Sequence, residues 1–576
     1  MLRHLGHCLA PARSLFWTLV AGVVLSGCTS AQHRRAADKE AYGIIRQAER
    51  RTLGHTNAFT IDTVYSARRP EDISPEELID GRLQTNRRVL SIEAALSLAV
   101  TNSRDYQARK ETLYQAALNL SDARYQYKPI FDAGGELTRD AAGNKSSSAD
   151  GKFSISQLLL TGGRLSASLA NGVLRYYTGD PRRSVFSTIS VDLVQPILRG
   201  FGWNNPDIET LKQTERNVIY AVRNYSFYQN QFALQIVNDY IGLLAQKDTI
   251  RNRYTNFLGR VQASRRLEAR AGYFEKLADV AQARQAELTA KNNYVNALAN
   301  YRNSLDQFKI RLGLPLGEQI FLDDTALDDV EKRGLVPAPM NSDAAYRMAV
   351  QRQLPLLNAI DRFEDSKRKV RIGKDQLRTD LKVVTGASYD FNWNQPDDYT
   401  RLNADKIAWD AQLQLNLPLD RMRERNSYRR TLMAFETELR SLTFTLDTLK
   451  DSIERGLRTL EQRRQNYEIQ TNALDVANRR VADAMANLQA GRAEVRNLVE
   501  AQDAQIGAQN AVTDALVQYQ QSRLQLMLDI GALETESPKF WLKDHVAGFL
   551  PGARPATTHP VTAEGAVTPP EEFFKN

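Results

Sequence analysis

The chain has 576 residues, 25% of them charged with both signs interspersed, and a formal net charge of +8. That excess is small for the length, and basic pairs such as Arg50-Arg51 and Arg182-Arg183 come with no RNA- or DNA-binding motif; they read as solvated faces, with no nucleic-acid partner. The 6 histidines show no ligand spacing, no nucleophile motif is present, and Gly162-Gly163 lacks a phosphate-loop context, so no catalytic residue, metal or cofactor is expected.

Near the start, Arg3 and Arg13 precede the apolar run Leu15 to Leu25, too short to span a bilayer as a lasting helix. The run ends in Leu25-Ser26-Gly27-Cys28, which has the form of a lipobox: residues 1–27 read as a signal peptide and Cys28 as the acylated residue. Cys8 lies in the removed segment, so no disulfide framework remains. Several acyl chains at ~0.8 kcal/mol per buried CH₂ would hold the N-terminus firmly in a membrane. Thr29, rather than Asp, follows the cysteine and favours the outer membrane. Residues 28–89 read as a lipidated, polar periplasmic segment without strong periodicity.

From 90 the chain reads as two structural repeats, 90–312 and 342–533, joined by a connector at 313–341. Each opens on a helix, running to about 127 and about 378, and Glu93 to Val100 matches Asp343 to Val350 at an offset of 250. In the first repeat Val185, Ile189, Val191 and Leu193 alternate with polar residues as a strand; Ile130 to Arg139, Lys152 to Leu158 and Arg164 to Tyr177 compete to be its partner. A heptad pattern follows from about 206 to 268, with Leu211, Val218, Tyr225 and Phe232 on one series and Ile236, Leu243, Ile250 and Phe257 on a shifted one, as in a stutter. Gly272 turns the chain into a return helix over 274–312.

The second repeat is tidier. Leu381, Val383, Thr385, Ala387, Tyr389, Phe391 and Trp393 form one alternating strand, and Ile407, Trp409, Ala411, Leu413, Leu415 and Leu417 form another. Their length suits tilted membrane strands, with Trp393, Tyr399 and Trp409 near the ends where interface aromatics belong. Pro196 and Pro418 end the descending strands and release the long helices. From 424 to 490, Leu432, Leu439, Leu446, Ile453, Leu460, Tyr467, Leu474, Val481 and Leu488 recur every seven residues. A helix of that length measures about 100 Å at ~1.5 Å per residue. Gly491 precedes the return helix over 493–533, which aligns with the first return helix at an offset of 218: Ala297, Leu298, Tyr301 and Gly313 face Ala515, Leu516, Tyr519 and Gly531. Residues 534–576, rich in Pro and Thr, read as a disordered tail.

Two strands per repeat make four per chain, too few to close a barrel, and an open edge is excluded in hydrocarbon, so the strands must close with those of other copies. Three copies would supply twelve.

The order helix, strand pair, long helical hairpin, twice over behind a lipobox, resembles the TolC-type outer-membrane efflux family. The pieces that carry the resemblance are Val194-Gln195-Pro196-Ile197-Leu198-Arg199-Gly200, Ala271-Gly272 with Leu277 to Ala283, and Ala490-Gly491 with Val495 to Gln502. It implies a mainly α chain with a membrane β-barrel contribution, forming a homotrimeric α/β-barrel channel with no cofactor and no reaction of its own. It implies docking of a periplasmic adaptor at Gly272 and Gly491, fed by an inner-membrane pump of the RND or ABC type. Asn497 and Glu500 fall where such channels carry a constriction ring, Asp279 lies at the partner tip, and Arg492, Glu494 and Arg496 are candidates for salt links that hold it closed. A periplasmic adaptor or a poreless coiled-coil envelope lipoprotein is the competing reading; an adaptor has a single hairpin, whereas here there are two.

Overall fold

The computed structural model describes residues 29–140, 146–176, 183–270, 277–338, 340–391, 403–490, 492–537 and 539–545. Cys28, Gly272, Gly491, Trp393 and Tyr399 lie outside them. The helices are α1 (Ser30–Thr52), α2 (Pro75–Leu83), α3 (Ile92–Asn102), α4 (Arg104–Tyr125), α5 (Pro206–Arg270), α6 (Leu277–Leu312), α7 (Thr325–Arg333), α8 (Ser342–Arg352), α9 (Leu354–Asp375), α10 (Met422–Gln489) and α11 (Val495–Asp529). The strands are β1 (Arg87–Leu90), β2 (Ile130–Asp140), β3 (Ser146–Leu158), β4 (Arg164–Tyr176), β5 (Arg183–Pro196), β6 (Gln319–Leu322), β7 (Asp380–Asp390) and β8 (Ile407–Asn416).

The four long helices fall where the heptads place them, and α5 and α10 run for 65 and 68 residues without a break. In α5, Val218, Tyr225 and Phe232 from one series and Ile236 and Leu243 from the shifted series are buried. In α10, Ile453 and Leu460 are buried, whereas Leu439 stays exposed. The opening helix of each repeat is interrupted rather than continuous: α3 gives way to α4 around Ser103, and α8 to α9 around Gln353. The repeats share this break and also a cap, because Ser91 Oγ accepts from Ala94 N at 3.2 Å and Asn341 Oδ1 from Ala344 N at 2.8 Å.

Two compact units are formed from interleaved stretches of chain. The first comprises residues up to 61, 110–223 and 364–437. Its sheet is antiparallel in the order β2-β3-β4-β5-β7-β8. Among the described residues the expected four strands are therefore six: all three segments that competed to partner β5 are strands. β3 and β4 escaped assignment because Ser146 to Ser148, Gly151 and Gly172 dilute their alternation. Residues 28–89, read as a segment without strong periodicity, contribute α1, in which Tyr42 meets the rings of Phe59 and Tyr114 at 5.9 and 5.7 Å. Tyr114 Oη also donates to Asp38 Oδ1 at 2.8 Å. On α9, Asp365 is 2% exposed and is charge-paired by Arg216 and Arg368, with Tyr220 Oη donating to it at 2.5 Å. Burial and that carboxylate push the Tyr220 hydroxyl up to about 12.

The second unit comprises residues 62–109, 224–363 and 438 onward. β1 and β6 pair in parallel, and the buried Tyr240 Oη ties the pair together, donating to Leu90 O at 2.7 Å and accepting from Asp323 N at 2.9 Å. The first part of the expected disordered tail is packed instead. Phe540 and Trp541 are buried, Arg523 of α11 donates to Trp541 O at 2.8 Å and Lys543 O at 3.0 Å, and Thr535 Oγ1 donates to Asn230 Oδ1 at 2.7 Å. Two aromatics in a Pro/Thr-rich stretch supplied apolar area that composition alone concealed. Residues 546–576 lie outside the described residues.

Candidate functional site

Side chains alternate across a strand, so the register of the six-stranded sheet decides which residues share a face. One register row carries Phe131, Ile155, Ala167, Val191, Ala387 and Trp409 across β2 to β8. The row beside it carries Ala133, Phe153, Leu169, Ile189, Tyr389 and Ile407. Both belong to one apolar face, and much of it is bare: Phe131 is 64% exposed, Trp409 79% and Leu413 67%. The opposite face carries the row Asp132, Ser154, Ser168, Ser190 and Ser388, with Ser168 Oγ and Ser190 Oγ 2.9 Å apart. The strands run 10 to 14 residues, the length a tilted membrane strand needs. Among the described residues no helix is long and apolar enough to cross a membrane.

Pro196 is the last residue of β5, as expected, but the long helix does not follow at once. It pairs with Lys382, and Ile197 N donates to Leu381 O at 2.9 Å, one step further on. The helix begins only at Pro206, which takes the first helical position behind the cap Asn205, whose Oδ1 accepts from Asp207 N at 2.7 Å. Between them the chain is held by Asp375, a buried carboxylate at the end of α9 that accepts from Gly200 N at 2.7 Å. Gly200 sits at φ +75°, where a side chain is strained. Pro418 lies two residues beyond β8 and four before α10, so it stands in the linker itself.

At the second-repeat tip, α10 and α11 border a groove of about 660 Å³ lined by Val476, Arg479, Arg480, Asn487 and Asn497 among others. Glu500 lies 3.8 Å from Arg496 and 3.9 Å from Arg480; Arg496 also reaches Glu494 at 4.0 Å. All four charges are more than half exposed. Arg496 thus has Glu494 and Glu500 within ion-pair distance in its own chain, whereas Arg492 contributes its backbone, donating to Asn487 O at 2.8 Å. Asn497 is exposed and opens no second acidic position. Asp279 sits in the first turn of α6; α6 and α11 pack on each other, with small residues, Ala283 and Ala501, buried at equivalent positions.

Sequence reasoning missed the most enclosed charge near this tip. Arg260 on α5 is 3% exposed and donates to Asp503 Oδ1 and Val499 O, both at 2.8 Å, and to Asn256 Oδ1 at 3.2 Å. Burial lowers its pKa from the usual arginine range, with Asp503 opposing. One arginine among many on a polar helix gives no signal in sequence.

No family model and no curated protein sequence matches the chain. Solved structures do. CusC, a protein whose description speaks of transmembrane channel formation, superposes with a TM-score of 0.57 at 11% identity, over 76% of this chain and 92% of its own. The CmeC outer membrane channel of Campylobacter jejuni gives 0.56 at 14% identity, over 76% and 85%. The outer membrane protein VceC of Vibrio cholerae gives 0.54 at 14%, over 76% and 96%. With its two helical hairpins and one membrane-length antiparallel sheet, the chain has the fold of the TolC-type outer-membrane channels.

Proposed function

We propose that the chain is the exit duct of a tripartite efflux or type I secretion system, carrying substrates from an inner-membrane pump across the periplasm and the outer membrane. The observation that carries this reading is the six-stranded sheet, apolar and exposed on one face, polar on the other, with no strand among the described residues pairing with the outer edges of β2 and β8. Unpaired backbone groups are excluded from hydrocarbon, so these edges pair with those of neighbouring copies, and three copies form the duct. The solved structures of the same fold that are described as outer membrane channels support the same assignment.

The remaining roles follow from it. Cys28 carries the lipid that anchors the N-terminus in the outer membrane. Exposed apolar residues on α10, such as Phe444 and Ile469, pack against other copies in a helical barrel. The tips at Gly272 and Gly491 receive a periplasmic adaptor coupled to an RND or ABC pump, and Glu500 brings one carboxylate per copy towards the pore axis. The chain is a conduit and not a catalyst.

Detergent-extracted protein reconstituted in planar bilayers tests the reading. A heat-modifiable trimer with discrete conductance steps is expected. Release of the protein into aqueous buffer once its lipid is removed would overturn it in favour of a poreless lipoprotein.

A further inference from the structure

The two repeats reach the sheet in the same way. Helix α4 ends at Tyr125 and β2 begins at Ile130; helix α9 ends at Asp375 and β7 begins at Asp380, the same step at the same offset of 250. At the other end, β5 leads into α5 and β8 into α10. Strand β2 is therefore the counterpart of β7, and β5 of β8. Among the described residues the hairpin β3–β4 has no counterpart, since β7 pairs directly with β8: it is an insertion in the first repeat.

This hairpin is built as wall and not as an appendage. Each of its strands has 13 residues, a full membrane span. Every residue of β2 has a partner on β3, and all of β3 is paired to β4. On the apolar side it continues both rows, with Phe153 and Ile155 on β3 and Ala167 and Leu169 on β4. On the polar side it carries Ser154 and Ser168 in the serine row. At the junction with β5, Phe186 stands opposite Gly172, and a Cβ on that glycine would lie 2.1 Å from the ring. The aromatic thus occupies the space that only glycine leaves open, which fixes the hairpin against β5. An appendage leaving the membrane would have no reason to keep one face apolar in step with its neighbours.

We propose that residues 146–176 enlarge the outer-membrane barrel, so that each copy supplies six wall strands and three copies close eighteen. The proposal rests on the channel reading above. Insertion of two strands keeps the alternation of direction, so β2 and β8 still run antiparallel and the edge of one copy meets the edge of the next as closure requires. Strands ~4.8 Å apart and tilted ~40° each occupy about 6 Å of circumference. Eighteen then give a backbone diameter of about 36 Å and twelve about 24 Å, a difference of roughly twofold in cross-section. The backbone diameter of the outer-membrane section would be about 1.5-fold that of a four-strand design, with a correspondingly wider bore.

Electron cryo-microscopy of the full-length protein in lipid nanodiscs decides the matter. Six wall strands per copy, with 146–176 among them and an annulus of about 36 Å, is the result expected. A second variant, with residues 141–182 replaced by a four-residue turn, lets β2 pair directly with β5 and is expected to shrink the annulus about 1.5-fold. Four wall strands per copy in the full-length protein, with 146–176 outside the wall, overturn the proposal while leaving the channel reading intact. Absence of any barrel overturns both.

Discussion

The guanidinium of Arg260 donates to the carboxylate of Asp503 at 2.8 Å, from a position only 3% exposed. The two partners differ in cost. Removing Asp503 leaves a buried cation with fewer acceptors, whereas replacing Arg260 with an apolar side chain leaves a carboxylate that is already mostly in water. Asp503→Ala is therefore expected to destabilise by about 2 kcal/mol and Arg260→Leu by less than ~1 kcal/mol in urea unfolding. Equal losses in the two variants would refute this account.

Glu500 stands between Arg480 and Arg496, so each carboxylate near the tip is partly neutralised within its own chain. Exposed pairs of this kind contribute ~0.2–1 kcal/mol, and Glu500→Ala should leave thermal stability almost unchanged. In the proposed duct its effect is expected in the pore: single-channel recording should show altered conductance and reduced block by divalent cations. Unchanged values of both would remove Glu500 from the constriction.

Val191 and Ala387 are register partners at the middle of the apolar face. In the proposed barrel, arginine at either position places a charge in hydrocarbon, at ~2–4 kcal/mol near the midplane. Ser190→Arg, one residue away on the polar face, should be tolerated. The fraction of heat-modifiable oligomer in extracted membranes checks the contrast, and equal tolerance at 190 and 191 would show that the face does not meet lipid.

The sequence made the long helices legible because nine apolar residues seven apart leave little else for 432–488 to be. It also made β7 and β8 legible, since strict alternation of Leu, Val and Tyr with Lys, Ser and Asp has one physical reading. Strands β3 and β4 were not, because a serine or glycine fits either face and weakens the period. At the tip, Glu494, Arg496 and Glu500 came from the family resemblance, and spacing along the helix supports only the i,i+4 pair Arg496 and Glu500. Arg260 with Asp503 could not be read from either, being 243 residues apart.

Gly313 and Gly531, matched at the repeat offset, both adopt positive φ, +74° and +71°. Both press on the same place in their own repeat: a Cβ would fall 2.3 Å from Asn102 O in the first and 2.9 Å from the carbonyl carbon of Arg352 in the second. Left-handed backbone alone costs a side chain ~1–2 kcal/mol. Gly531→Ala should lose at least that in urea unfolding, and Gly313→Ala more, because its contact is closer. A change under ~0.5 kcal/mol at both would show that the helix ends adjust freely.

His545 is buried and bonded to Phe540 O at 2.8 Å. Burial lowers its pKa below the usual histidine value, Arg523 and Lys543 lower it further, and the Phe540 carbonyl and Glu534 act against them. The detached segment binds a proton more readily than the packed one, so packing is full above about pH 6.5 and weakens as pH falls below it. Hydrogen-exchange protection over 540–545, relative to the intrinsic rate at each pH, should be lower at pH 5 than at pH 7.5, and His545→Gln should flatten that dependence. Identical protection at both pH values would contradict it.

The β5–β7 seam joins residues as far apart as Thr188 and Asp390, 202 positions along the chain. Non-local pairing is slow to form, because the intervening segment must be ordered or looped out before any contact is made. During synthesis β2 to β5 exist as a sheet with an apolar face and no seventh strand to meet, a state prone to aggregation. For the proposed outer-membrane duct, assembly is thus expected to depend on a periplasmic holding factor for the interval between translocation of its first and second repeats. Slow oligomer maturation, more than weak final stability, is the vulnerability that this topology builds in.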